Sequence, residues 1–294
     1  MNRRILIIIG IVTVFLVLIT TLVSSSSLYQ DMLSAKKPRY EVGQHLGPKL
    51  CGSCHKEIYK TWLRNSAHAV ATTNKSFLAF KKKFTGNFLL NAMMGEEMCY
   101  ACHGSKDVNR GVDCETCHGS LIKGASLEET HEKKFKPRRQ KELKEPDYCP
   151  TCHSMKTISG DFIFSLYDEW QKSKAAKDGI TCQGCHMKPR KGDIPYHGFD
   201  SISRRNAEIY HDKITIDDVK LDFPELSLTL ENQVRAHAVP ASGPSRVLAL
   251  EITLRDKNGV KKHEIVETFL KKFDLMPVVG LFPNKLTENS QLQG

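Results

Sequence analysis

Ten cysteines occur in the chain, and every one belongs to a pair two residues apart with a histidine directly after it. The units are C-G-S-C-H at Cys51–His55, C-Y-A-C-H at Cys99–His103, C-E-T-C-H at Cys114–His118, C-P-T-C-H at Cys149–His153 and C-Q-G-C-H at Cys182–His186. Two thiols on one short turn match the two vinyl groups of one porphyrin, and the next residue then lies under the ring, where its imidazole reaches iron. Zinc sites, dithiol redox pairs and disulfides each explain C-x-x-C, but none explains a histidine after all five pairs. The sequence therefore predicts five covalently bound haem c groups. Cys51, Cys54, Cys99, Cys102, Cys114, Cys117, Cys149, Cys152, Cys182 and Cys185 attach them, and His55, His103, His118, His153 and His186 are the proximal ligands.

Twelve histidines are present, so seven remain: His45, His68, His131, His197, His211, His237 and His263. Five irons accept at most five further ligands, which makes several of these candidates for the distal side. The formal charge of +10 would suggest an acidic partner, yet two propionates per haem offset it. The basic runs Lys81–Lys83 and Lys133–Lys144 then read as propionate neutralisers or a solvated face, or as a docking patch for an acidic redox partner. Nucleic-acid binding is excluded as the reason for the charge.

The motifs start at 51, 99, 114, 149 and 182, so about thirty residues serve each haem, too few for an ordinary core. The porphyrins themselves must be the core, wrapped by short helices and loops, with the second and third haems as close neighbours. Two helices are expected to position them. One runs over Lys56–Val70, with Ile58, Trp62 and Leu63 on one side. The other runs over Asp161–Lys177, with Phe162, Leu166 and Trp170 at i, i+4 and i+8 and Gly179 as its stop. Both carry a Trp followed by a Ser, a weak internal repeat. The first copy continues to His68, whereas the second has Ala175 or Ala176.

Around this domain, assigned to 51–204, the pattern changes. Met-Asn-Arg-Arg followed by the uncharged Ile5–Val23 reads as a transmembrane anchor or uncleaved signal over 1–23, with Arg3 and Arg4 on the cytoplasmic side. A Ser-, Lys- and Pro-containing tether follows over 24–50. Beyond 204 the period becomes two: Leu226–Leu230 alternates, as does Leu248–Arg255, and D-K-N-G ending at Gly259 offers a turn back into Val260–Leu270. The expectation for 205–294 is a small antiparallel β module, sandwich-like, its last strands short or absent.

Several stretches resemble one family, the multihaem cytochromes of the cytochrome c554 type, related to the haem domains of hydroxylamine oxidoreductase-like proteins. C-G-S-C-H followed by Trp62, Ser66 and His68 is similar to its Trp…Ser-x-His helix, and Gly111–Gly119 to its Gly-Val-x-Cys-Glu-x-Cys-His-Gly unit. Glu169-Trp170 with Gly179–Met187 resembles its last haem unit, His197-Gly198-Phe199 its His-x-Phe, and Asn232–Gly243 the start of its β domain. The resemblance implies that His68, His131, His197 and His237 are distal ligands, the last pinning the β module onto a haem. The chain departs from the family at Arg235-Ala236, at Ala241-Ser242, and at Ala175, where the second helix lacks its ligand. Four carried-over ligands then face five irons. His45, His211 or His263, a thioether of Met93, Met94, Met98 or Met187, or an open site are the alternatives for the fifth.

Taken together, the sequence leads to the expectation of a membrane-anchored, periplasm-facing pentahaem cytochrome that passes electrons between a redox protein donor and acceptor. A quinol-oxidising cytochrome is one alternative. The other is an enzyme acting on a small nitrogen or sulfur compound at an open haem.

Overall fold

The structure is a computed structural model. It describes residues 13–14, 17–18, 47–88, 91, 95–104, 110–118, 140–157, 159–201, 212–222, 224–241, 243, 246–275 and 283–293. The expected membrane segment lies outside the described residues, apart from the helical and exposed Thr13, Val14, Val17 and Leu18. Among the described residues no helix is long and apolar enough to cross a membrane. The tether before Gly47 also falls outside them, as do His45, His131, His211, Met93 and Met94.

Each Cys-x-x-Cys-His unit is carried by a short helix, Pro48–Cys54, Glu97–His103, Cys114–His118, Pro150–His153 or Cys182–His186, with His55 capping the first and Cys149 the fourth. One helical turn puts both sulfurs on the same side. Two further helices, Lys56–Asn65 and Lys75–Gly86, link the first two motifs. Asn74 caps the second of these, its side chain accepting from the N–H groups of Ser76 and Phe77.

Few apolar side chains are deeply buried. Among the described residues they are Trp62, Ala69, Phe77, Phe84, Tyr100, Ile163, Ala175, Ala238 and Val239. Leu63, Ile180 and Ile194 stay largely exposed beside the motifs. Among the described residues the polypeptide alone has no continuous hydrophobic centre, as expected where prosthetic groups supply it.

Both predicted helices are shorter than their periodicity suggests. The first ends at Asn65, because Ser66 is extended (φ −82°, ψ 135°), and a separate 3-10 turn carries His68–Val70. In the second, Phe162–Ser165 is not helical but strand β2, paired antiparallel with β1 (Ser154–Lys156). The helix proper covers Leu166–Lys172, and Ser173 separates it from Lys174–Lys177. Gly179, at φ +73°, takes the left-handed turn that ends it, a conformation unfavourable for a residue with a Cβ.

Beyond Asp212 the chain forms three hairpins: β3 (Ile214–Asp222) with β4 (Glu225–Asn232), β5 (Leu248–Arg255) with β6 (Lys261–Phe269), and β7 (Lys271–Leu275) with β8 (Pro283–Asn289). The turn at Asp256–Gly259 closes through Gly259 N–H to Asp256 O at 2.9 Å, with Gly259 at φ +79°. The sandwich-like packing expected from alternation is not what the described strands form. They pair as two-stranded ladders, β5 alternates half-buried and exposed residues, and β6 is exposed until Phe269. A sandwich needs two sheets with buried inner faces, and the apolar inward positions of β4 and β5 are only half-buried. The last hairpin, β7–β8, is present rather than absent.

Candidate haem-binding centre

The Trp-and-Ser wording of the two helices proves to be a structural repeat. Trp62 donates its indole N–H to Val112 O at 3.1 Å, and Trp170 donates its own to Ile180 O at 2.8 Å. Val112 and Ile180 each stand two residues before the first cysteine of a motif. The return bonds also match: Val112 N–H reaches His68 O at 2.9 Å, and Ile180 N–H reaches Ala175 O at 2.8 Å. Ala175 therefore occupies the place of His68 in the second copy. It is buried, and its own N–H is directed at Arg235 O, 3.4 Å away. Gly111 makes the first copy close: at φ +56°, a Cβ there would lie 2.3 Å from His68 O.

Three of the four carried-over distal histidines stand opposite a motif histidine. Ring centroids are 6.1 Å apart for His68 and His153, 6.2 Å for His118 and His197, and 6.4 Å for His186 and His237. An imidazole binds a metal at about 2.0 Å, and adding a ring radius of about 1.1 Å on each side puts two trans imidazoles roughly 6.2 Å apart at their centroids. All three pairs meet that separation. Their interplanar angles of 57°, 22° and 10° are all compatible with it, since rotation about the metal–nitrogen axis leaves the distance unchanged. The fourth, His131, lies outside the described residues. His263 is on exposed β6, paired across the ladder with Leu254.

The hydrogen bonds of these rings fix which nitrogen is free. Nδ1 of His103 meets Ala71 O at 3.1 Å, that of His186 meets Asp200 O at 2.6 Å, that of His197 meets Pro195 O at 2.7 Å and that of His237 meets Ala238 O at 3.1 Å. A carbonyl accepts only, so Nδ1 carries the proton and Nε2 keeps its lone pair for a metal. Burial pushes the imidazoles of His103, His118, His197 and His237 below their ordinary pKa, favouring the neutral ligand form. His68 is lowered to about 3, by burial first and then by His153 and His186 nearby. By accessible surface the residue is half-buried. On donor chemistry and spacing the residues fit haem c.

Contacts between motifs order them. Cys51 lies beside Cys114, and Cys149 beside Cys182, close enough for each thiol to influence the other's ionisation. Cys152 Sγ lies 3.9 Å from Ala101 O, and Tyr148 donates from its hydroxyl to Thr116 O at 3.1 Å. The first motif thus adjoins the third, and the fourth touches the second, third and fifth. The second and third, expected as neighbours from their spacing, are joined where a Cβ on Gly104 would lie 1.8 Å from Gly111 O.

Sequence reading missed the charged groups that hold these parts together. Glu115, inside the third motif, is buried; its carboxylate accepts from Arg110 Nη2 at 2.5 Å and from Gly47 N–H at 2.8 Å. Arg110 also reaches Asp113 at 3.2 Å. This buried cluster fastens the start of the first motif's helix to the third motif. A second cluster fastens the β hairpins. Lys271, buried at the start of β7, donates to Ser165 Oγ at 2.7 Å and lies 3.8 Å from Glu169 Oε1. Ser165 donates to the same carboxylate, whose Oε2 accepts Ala238 N–H at 2.8 Å. Asn232 donates to His237 O at 3.0 Å and to Leu292 O at 3.1 Å. Burial lowers the Lys271 pKa, while Glu169 opposes that shift. Of the side chains that make these bonds, Asp113, Glu115, Glu169 and Asn232 lie inside family-like stretches, whereas Arg110, Ser165 and Lys271 do not, and no spacing rule marks a lone Lys or Arg as a buried partner.

Comparison with known proteins agrees with this chemistry. The family model for cytochrome c554 and c-prime matches residues 50–119. A penta-heme cytochrome c552 from Thermochromatium tepidum, known from its crystal structure, superposes with a TM-score of 0.57. That likeness covers 85% of this chain and 84% of the other at 18% identity. A search of curated proteins finds no match. The sequence match and the shared fold support a multihaem c-type cytochrome, built here from short helices and small antiparallel sheets.

Proposed function

We propose that the chain is an electron carrier holding five covalently bound haem c groups, one at each Cys-x-x-Cys-His unit. The observation that carries this reading is the trio of imidazole pairs at 6.1, 6.2 and 6.4 Å, each containing one motif histidine. His153 would share an iron with His68, His118 with His197, and His186 with His237, with His131 assigned to one of the two other sites. Each haem supplies an iron that gains or loses one electron. The protein's part is to set spacing, ligation and local dielectric. The motif contacts suggest a line running first, third, fourth, fifth, with the second beside the fourth. Cys54 and Cys185, at opposite ends of that line, are the exposed cysteines, which suggests contact points for donor and acceptor proteins there.

The domain limits at 23, 50 and 204, the membrane anchor and the periplasmic placement belong to the same reading. They rest on the uncharged Ile5–Val23 run and on the oxidising, haem-attaching compartment that c-type cytochromes require. Membrane quinol is a donor compatible with that placement. The test uses the full chain produced in a host that attaches haem c. A haem assay should give five haems per chain, and electron paramagnetic resonance of the oxidised protein should be dominated by low-spin signals. Absence of covalent haem would overturn the reading. A high-spin component that binds carbon monoxide would favour the enzyme alternative over the plain carrier.

A further inference from the structure

We infer that Glu169 and Lys271 are positioning residues for the haem bound at Cys182–His186, fixing its distal ligand by gripping one peptide unit. This rests on the reading of His237 as that ligand. The His237–Ala238 peptide is held at both polar ends. Its carbonyl accepts from Asn232 Nδ2 at 3.0 Å, and its N–H donates to Glu169 Oε2 at 2.8 Å. The ring is tied to the next peptide along, since Nδ1 donates to Ala238 O at 3.1 Å. With the peptide plane and Nδ1 both fixed, Nε2 has one direction left, toward His186 across 6.4 Å between centroids with the planes 10° apart.

Glu169 is itself held from behind. Ser165 donates to it, and Lys271 stands 3.8 Å away with its ammonium on Ser165 Oγ at 2.7 Å. These residues come from the helix after β2, the end of β4 and the start of β7. The ligand is therefore set where the β hairpins dock on the haem-binding part, and hairpin position and iron coordination are one variable. The other distal candidate on a loop, His197, has its Nδ1 on Pro195 O, two residues away on the same loop, and needs no such docking. A buried carboxylate–ammonium pair is weak evidence for stability in itself. Its aim at the ligand's own peptide gives it a specific role.

The test uses the full haem-loaded chain, with haem count as the check on folding. His237→Ala identifies the component: one low-spin signal should become high-spin. If all stay low-spin, the ligand reading fails and this inference with it. Given that change, Glu169→Ala should lose the same low-spin signal, wholly or in part, at unchanged haem count. Retention of it unchanged would overturn the positioning role while leaving His237 as ligand. Lys272→Ala, which breaks the exposed pair with Glu288 on the neighbouring strand, should change nothing, and loss of the signal there would also count against the inference. Should Glu169→Ala lose haem, Glu169→Gln decides. It keeps an acceptor for Ala238 N–H, so the signal should persist while one midpoint potential of five rises through loss of a negative charge. Lys271→Met should lower that same midpoint. No shift, or equal shifts in all five, would overturn the proposal.

Discussion

A buried acid inside the third motif does more than fill its place there. Glu115 closes Arg110 and the Gly47 amide onto the third motif. Its replacement by Ala leaves the nearly enclosed Arg110 with Asp113 alone, and a loss of about 3–5 kcal/mol is expected for breaking such a pair, measurable by denaturant unfolding at constant haem content. His68 gives a pH prediction. Its pKa is lowered from the ordinary 6.5 to about 3 by burial, so the unfolded chain binds the proton more readily. The contribution is complete above about 6.5 and is lost progressively as pH falls toward about 3. Acid titration followed by the low-spin spectrum should show the loss confined to that range, and His68→Ala should remove one low-spin signal at neutral pH. The chemistry of the motifs is legible in the sequence because two sulfurs and an imidazole repeat at fixed spacing. Lys271 and Ser165 are not, since they lie 106 residues apart and no short-range pattern joins them.

At the level of elements, the repeat is partly legible. The Trp-and-Ser wording marks both helices, but not where they stop. Ser66 and Ser173 interrupt them, as an extended serine whose hydroxyl turns back on the chain readily does: Ser66 Oγ accepts from His68 N–H at 3.0 Å, and Ser173 Oγ accepts from Ala176 N–H at 3.2 Å. Strand β3 escapes sequence reading because its alternation is broken. A register shift between Asp217 and Lys220, with Asp218 at φ +52°, moves Val219 and Leu221 to the other parity. Gly104 tests the joint between the second and third motifs. At φ +94° and with a Cβ 1.8 Å from Gly111 O, Gly104→Ala should cost about 3 kcal/mol or more, from strain and clash together. A fall in thermal midpoint with partial haem loss is the expected result. Ala175→His should not add a ligand. The site is buried against the loop bearing Arg235, so overpacking of about 1–3 kcal/mol is expected, with no new low-spin signal.

Over the whole molecule, the sparse apolar burial has a direct corollary. With so few deeply buried side chains among the described residues, the chain without haem should lack cooperative unfolding, whereas the loaded protein should unfold in a defined transition. Calorimetry before and after haem attachment, using a host that lacks the attachment machinery for comparison, checks this. The class is legible at this scale from cysteine count and spacing alone. The β5–β6 hairpin is legible too, from its alternation and its turn, whereas the docking of β7 is not, because it depends on a contact across more than a hundred residues.

The matched bonds Val112 N–H to His68 O and Ile180 N–H to Ala175 O make the two copies interchangeable as scaffolds. Both are locked by backbone and indole, so the side chain at that slot is no part of what folds them. The slot is a socket whose plug is optional: one copy carries an imidazole there, and the other gives the place to the Arg235 loop.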